Sequence, residues 1–173
     1  MRLFQHLSIG KRIHLATLAT FIGLWVVVIL AAQDMYTHLH AGVSTKTQHL
    51  VEAAYSVVEH YHDAAKAGTY TEEEAKALAI KTLEGMRYHG KEYFWINDMH
   101  PTMIMHPIKP QMNGTDISDL KDPNGKRLFS AMAEVVKKEG AGFVDYMWAK
   151  PGDTKLYPKV SYVKGFAPWG WII

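Results

Sequence analysis

The first pattern along the chain is an apolar run from Leu15 to Ala32 that contains no charged residue and no proline. At about 1.5 Å of rise per residue, roughly 18–20 helical residues span the hydrocarbon core of a bilayer. Three basic residues precede the run: Arg2, Lys11 and Arg12. Asp34 follows it. The positive-inside rule therefore predicts a cytoplasmic segment over 1–12, a transmembrane helix over 13–33 and an exported remainder.

The alternative for this run is a cleaved signal peptide, whose apolar region is shorter and ends at a small-x-small cleavage site. Here the apolar run is long and ends Ile29-Leu30-Ala31-Ala32-Gln33, which matches such a site poorly. The pattern favours an uncleaved anchor in the inner (plasma) membrane. Residues 34–173 would then form an extracytoplasmic domain.

Beyond the anchor, apolar positions recur at three, four or seven residues, the spacing of one helix face. These positions are Val43, Leu50, Ala54, Val57, Tyr61 and Ala65. We expect a long stalk helix that ends near Gly68, where glycine favours a helix stop. Thr71 and Glu74 have the spacing of a capping box, which predicts a second helix ending near His89.

The pattern then changes to a period of two, which indicates strands. Tyr93, Trp95 and Asn97 alternate with Phe94 and Ile96, so we predict one strand whose residues face opposite ways. An amphipathic helix with apolar positions from Leu128 to Val136 interrupts the strands. Further strands are predicted over 102–106, 143–148 and 157–164, and a last one from Trp169 that is cut short at the end of the chain.

Composition narrows the possible functions. Of 173 residues, 48% are apolar and 21% charged, as in a folded protein. The net charge is only +2 and the lysines are dispersed, which argues against a nucleic-acid partner, since that needs a basic stripe. The sequence contains no cysteine, which excludes disulfides, thiolate metal sites and cysteine nucleophiles.

The histidines do not form a recognisable metal motif. His38 and His40, like His60 and His62, are two residues apart, so they point in different directions on a helix. No HExxH pair, GxSxG elbow or phosphate-binding glycine loop occurs in the sequence. We therefore predict no metal site, no cofactor and no enzyme activity.

Several motifs occur in order along the second half of the chain: KEYFWINDMHPTMIMHP, KDPNGKRLF, GFVDYMW, PKVSYVKGF and PWGWII. This series resembles the single Cache domain, type 2, a sensor module of bacterial methyl-accepting chemotaxis proteins and some histidine kinases. The resemblance covers about 34–173. It implies an α+β fold with a long N-terminal helix, a PAS-like antiparallel β-sheet with flanking helices, and a small-molecule pocket between the sheet and covering loops.

The resemblance also implies a ligand class, namely small carboxylates such as acetate, propionate, pyruvate and lactate. Lys159 in PKVSYVKGF is the candidate cation, His106 in MHP a candidate pocket residue, and Arg87 a possible carboxylate clamp. Four aromatic side chains with polar tips are candidates for the walls: Tyr93, Trp95, Tyr146 and Trp148. The alternatives are a solvated lysine, a structural histidine, an arginine at a helix C-terminus and plain core aromatics.

The resemblance predicts ligand sensing by a transmembrane chemoreceptor, with the signal passed across the membrane for chemotaxis. Such receptors continue into a second membrane helix, a HAMP linker and a signalling coiled coil, so this chain looks like the front end of one. The sensor region of a histidine kinase and a freestanding anchored binding protein are the alternatives. A homodimer is expected, although the sequence does not fix whether the long helix forms its interface.

Overall fold

The computed structural model describes residues 8–173, with the side chains of 36–43 left undescribed. The sequence interpretations of Arg2, His38, His40 and Val43 lie outside the described side chains. Within residues 8–173 there are three α-helices and seven strands: α1 (Ile9–Lys66), α2 (Glu72–Gly85), β1 (Arg87–Tyr88), β2 (Glu92–Tyr93), β3 (Ile96–Asp98), β4 (Met103–Met105), α3 (Leu128–Glu139), β5 (Ala141–Ala149), β6 (Leu156–Phe166) and β7 (Trp171–Ile172). Short 3-10 turns occupy Pro110–Met112 and Ala167–Trp169.

The described residues divide into two compact units, one that reaches Val43 and one formed by Ser44–Ile173. In the first, the helical segment Ile9–Met35 has a mean hydropathy of 2.5 and is long and apolar enough to cross a membrane. Its large apolar side chains are exposed, Trp25 to 66%. The predicted N-terminal apolar helix is confirmed. The stalk stays a prediction, because the division between the units falls within α1.

In the second unit, the helix ends follow the local signals in the sequence. The Glu74 N–H donates to Thr71 Oγ1 over 3.2 Å, and the Thr71 N–H donates to Glu74 Oε2 over 2.8 Å. This is the predicted capping box at the start of α2. α2 ends at Gly85, earlier than the expected end near His89, and the chain enters strand β1 instead.

A five-stranded antiparallel sheet in the order β4-β3-β7-β6-β5 forms the centre of this unit. Helices cover both of its faces. On one face Val58 of α1 and Leu83 of α2 pack with Phe166, and on the other Met132 of α3 packs with Val163. Burying such side chains on both faces is what stabilises a layered domain of this kind. The predicted α+β class is therefore confirmed.

The predicted single strand over Tyr93–Asn97 is wrong. The segment divides into β2, which pairs only with β1 among the described strands, and β3, which pairs with β4 and β7. Every residue from Tyr93 to Asn97 is buried, because helices or loops cover both sides of this segment. The alternation of side chains therefore does not separate a buried face from an exposed one here.

Candidate ligand-binding site

A cavity of about 240 Å³ lies beside the turn of the β5–β6 hairpin. The hairpin register pairs Tyr146 with Lys159 and Trp148 with Tyr157, which places these side chains on one sheet face. The cavity is lined by Thr47, Tyr88, Glu92, Trp148, Ala149, Lys150, Tyr157, Pro158, Lys159 and Val160. At about 30 Å³ per water molecule, it has room for roughly eight waters or one acid of a few non-hydrogen atoms.

A larger groove of about 410 Å³ lies between the end of α3 and β7. It is lined by Met99, Val136, Lys137, Gly140, Gly165, Phe166, Ala167, Gly170 and Trp171. Lys137, the charged residue of this lining, is exposed to solvent. The hairpin cavity instead contains a largely buried lysine. Because less water surrounds that ammonium, the effective dielectric constant is lower and its attraction for an anionic ligand is stronger. The hairpin cavity is therefore the candidate site.

Lys159 is the central charged group of this cavity. Its side chain is only 20% exposed, and Nζ lies 3.6 Å from Glu92 Oε2 and 4.9 Å from the centre of the Tyr93 ring. Burial lowers the pKa of Lys159, and the Glu92 carboxylate opposes that change. A lysine on a strand is usually solvated, and this one is held among aromatic and acidic neighbours instead.

The short β1–β2 hairpin supplies the opposite wall of the cavity. Its register pairs Tyr88 with Glu92, and both side chains line the cavity. Burial, with smaller contributions from Glu92 and Tyr93, raises the pKa of Tyr88 to about 12. The Tyr88 hydroxyl is therefore protonated at neutral pH and can donate a hydrogen bond to an anion.

Trp148, which lines the cavity, begins a series of hydrogen-bonded side chains that continues through Tyr93 to His106. The Trp148 Nε1–H donates to the Tyr93 hydroxyl over 3.2 Å, and that hydroxyl lies 3.4 Å from His106 Nε2. His106 Nδ1 accepts hydrogen bonds from the backbone N–H groups of Ile108 and Lys109, at 3.2 and 3.1 Å. A nitrogen that accepts two N–H groups carries no proton, so the neutral ring must be protonated at Nε2 and donate to Tyr93.

His106 is therefore neutral in the folded protein. Its side chain is 2% exposed, and burial, together with the nearby ammonium groups of Lys109 and Lys159, lowers the pKa of His106 to about 4. The ring supplies no positive charge at neutral pH. It holds the Tyr93 hydroxyl in place behind the cavity wall.

The remaining predicted residues occupy different positions. Tyr146 is buried, its hydroxyl lies 2.9 Å from Ser161 Oγ, and it lines a neighbouring cavity of about 240 Å³ together with Lys159. Trp95 is buried in the core, where its Nε1–H donates to Asn97 Oδ1 over 3.1 Å.

Arg87 is exposed and does not line the cavity. Its Nη1 donates to the carbonyl oxygens of Glu84 and Met86, at 2.6 and 2.8 Å. These are carbonyls at the end of α2, where a cation also interacts favourably with the helix dipole. The structure therefore brings Lys159 and Trp148 together in the cavity, with Tyr93 and His106 behind them, and leaves Arg87 outside.

Three further cavity residues, Tyr88, Glu92 and Lys150, were not singled out in the sequence. Tyr88 falls within the predicted end of the second helix, so its position in a hairpin was hidden by the wrong helix boundary. Glu92 lies just before the predicted strand of residues 93–97 and is the first residue of β2 in the structure. Among the described residues no group of three or more histidine, aspartate or glutamate side chains could hold a metal ion.

Comparison with known proteins gives consistent matches. The Cache domain family model (dCache_2) matches residues 28–173. The methyl-accepting chemotaxis protein McpP of Pseudomonas putida (strain KT2440) is 36% identical over 173 residues, which are 100% of this chain and 32% of that protein. The sensor histidine kinase MctS of Rhizobium johnstonii (strain 3841) is 28% identical over 164 residues, 93% of this chain and 34% of that protein. The chain thus spans about a third of the length of these curated relatives.

Two solved structures have the same fold. One, described as the periplasmic sensor domain of a chemotaxis protein, has a TM-score of 0.73 and 48% identity, over 74% of this chain and 89% of that one. The other, described as the structural basis for carboxylic acid recognition by a Cache chemosensory domain, has a TM-score of 0.75 and 46% identity, over 78% of this chain and 91% of that one.

Proposed function

The chain belongs to the Cache domain family, and from that premise we propose that it senses a short-chain monocarboxylate outside the cell for a transmembrane chemoreceptor. Its relatives include sensor domains of chemotaxis proteins, which supports a role in signal transduction. The apolar segment Ile9–Met35 is consistent with a membrane anchor that leaves Ser44–Ile173 outside.

The observation that carries the ligand class is the position of Lys159. The largely buried Lys159 side chain lines a small cavity whose other lining residues include Tyr88 and Trp148. An ammonium and a protonated phenol are both donors, and a carboxylate is acceptor-only, so their chemistries match. A solved Cache structure described as recognising carboxylic acids supports the same class for this chain.

The size of the ligand limits its affinity. A charge-assisted hydrogen bond contributes about 1.5–3 kcal/mol, and a neutral one contributes less. With four to six heavy atoms at a ceiling of ~1.5 kcal/mol each, the binding free energy is at most about −6 to −9 kcal/mol. For the smallest acids this limits Kd to about tens of micromolar. Acetate, propionate, pyruvate and lactate fall within this size range.

The alternative function is sensing for a membrane histidine kinase, which the likeness to a sensor histidine kinase favours. The ligand chemistry would be the same in both cases, and only the output would differ. We propose that these residues perform no catalysis themselves and that the protein acts as a homodimer.

The full chain in lipid nanodiscs should be titrated calorimetrically with acetate, propionate, pyruvate, lactate and succinate. Lys159→Met removes the ammonium and keeps most of the side-chain stem, so it should abolish measurable binding of the monocarboxylates. Lys138→Met is the matched control, because Lys138 is 81% exposed on α3 and its loss changes the net charge equally.

The melting temperature of each variant shows whether it is folded, so that loss of the binding site is distinguished from unfolding. Retained binding in a folded Lys159→Met protein would contradict the role of Lys159. Failure of all five acids to bind the wild type would refute the carboxylate proposal itself.

A further inference from the structure

Lys159 already has a carboxylate partner within the chain. Glu92 Oε2 lies 3.6 Å from Lys159 Nζ, and the two side chains are 29% and 20% exposed. Both residues line the same cavity. A ligand carboxylate that approached this ammonium would meet the Glu92 carboxylate at the same place, and two like charges there repel each other.

We infer that Glu92 is an internal competitor for the ligand carboxylate and thereby sets both the affinity and the charge selectivity of the cavity. This inference rests on the proposed function, since it needs Lys159 to bind the ligand. A monocarboxylate must displace the Glu92 carboxylate from the Lys159 ammonium, which is the cost of binding one negative charge. A dicarboxylate brings a second negative charge near the displaced Glu92, so it binds less tightly than a monocarboxylate of similar size.

The position of Glu92 in the fold allows this displacement. It lies in β2, which pairs with β1 over two residue pairs and does not belong to the five-stranded sheet. Its side chain can therefore withdraw from Lys159 without breaking the hydrogen-bond ladder that holds the hairpin of β5 and β6. Tyr88, opposite Glu92 in the register, remains available as a donor.

The same pair of charges permits another interpretation, in which Glu92 contacts the ligand. A buried ammonium beside a carboxylate also suits a zwitterion, whose carboxylate would bind Lys159 and whose ammonium would bind Glu92. Propionate and L-alanine differ by an ammonium group on the carbon next to the carboxylate. Comparing these two acids therefore distinguishes a competitor from a ligand contact.

The test is calorimetric titration of the full chain in nanodiscs with propionate, succinate and L-alanine, for the wild type and Glu92→Gln. Glutamine keeps the shape and removes the charge. We expect the affinity for propionate to rise about threefold, equivalent to about 0.7 kcal/mol. For succinate we expect a rise of about tenfold. Glu134→Gln, an exposed glutamate on α3, is the matched control and should change neither affinity.

Unchanged or weaker binding of propionate by a folded Glu92→Gln protein would overturn the inference while leaving the proposed function intact, provided that Lys159→Met still abolishes binding. A wild type that prefers L-alanine, with the preference lost in Glu92→Gln, would also overturn it. If Glu92→Gln does not fold, Glu92→Asp retracts the carboxylate by one methylene and should still raise the affinity for propionate. A wild type that binds no acid would overturn both proposals.

Discussion

Replacing His106 with asparagine should make the stability of the sensor unit less sensitive to acid. In the folded protein His106 is neutral, because Nδ1 accepts two backbone N–H groups and its surroundings are apolar and cationic. In the unfolded chain its pKa returns to about 6.5. Because the folded pKa is the lower one, acid favours the unfolded state, which binds the proton more readily.

The magnitude follows from the two pKa values, about 4 folded and 6.5 unfolded. The contribution of His106 is fully present above pH 6.5 and is lost as the pH falls towards 4. At 1.36 kcal/mol per pKa unit the total is roughly 3 kcal/mol. Linkage places about 2 kcal/mol of this loss between pH 7 and pH 5, where few carboxylates titrate.

The assay is urea unfolding of the unit Ser44–Ile173, followed by tryptophan fluorescence at pH 7 and pH 5. Asparagine in place of His106 keeps an acceptor for the backbone N–H groups and does not titrate. The wild type should lose about 2 kcal/mol more free energy of unfolding between these pH values than His106→Asn. His100→Asn, at an exposed histidine, should behave like the wild type. Equal losses in the wild type and His106→Asn would refute the assignment of a neutral, buried His106.

Two further outcomes are expected. A reporter that is active only in the periplasm should work when fused after Ala67, because Arg2, Lys11 and Arg12 precede the uncharged apolar run of residues 15–32. Activity of a cytoplasmic reporter at that position would refute the exported topology. Gly165→Ala should destabilise the domain by about 1–3 kcal/mol in urea unfolding, because a methyl group on this β6 residue would overlap Val136 Cγ1 of α3. Val136→Ala in the same protein should recover part of that loss, and simple additivity of the two changes would contradict the proposed overlap.

Features with local signals could be predicted from the sequence. The capping box at Thr71 was predictable because its two hydrogen bonds join residues three apart. Helix α3 was predictable because the apolar residues from Leu128 to Val136 recur at the spacing of one helix face. The strands predicted over 143–148 and 157–164 correspond to β5 and β6. In each case the interacting residues are neighbours along the chain, so their spacing carries the information.

Features that depend on distant partners could not be predicted in this way. Tyr93 and Asn97 were assigned to one strand, yet β2 and β3 pair with different partners, and those pairings are set by the packing of the whole unit. The same limit applies to the site. Lys159 was identified through a motif, whereas Glu92 was missed because its approach to Lys159 joins residues far apart in the sequence.

The pairing of Lys159 with Glu92 connects the affinity for a small ligand with the stability of the folded protein. An acid of four to six heavy atoms gains little from contact area, so its affinity depends on a cation shielded from water. A shielded cation without a partner destabilises the fold, because the cost of removing it from water is not offset. Glu92 supplies that offset from within the chain, and for the same reason it must be displaced when the ligand binds. Stability of the folded sensor and weak competition for its ligand are therefore two consequences of one ion pair.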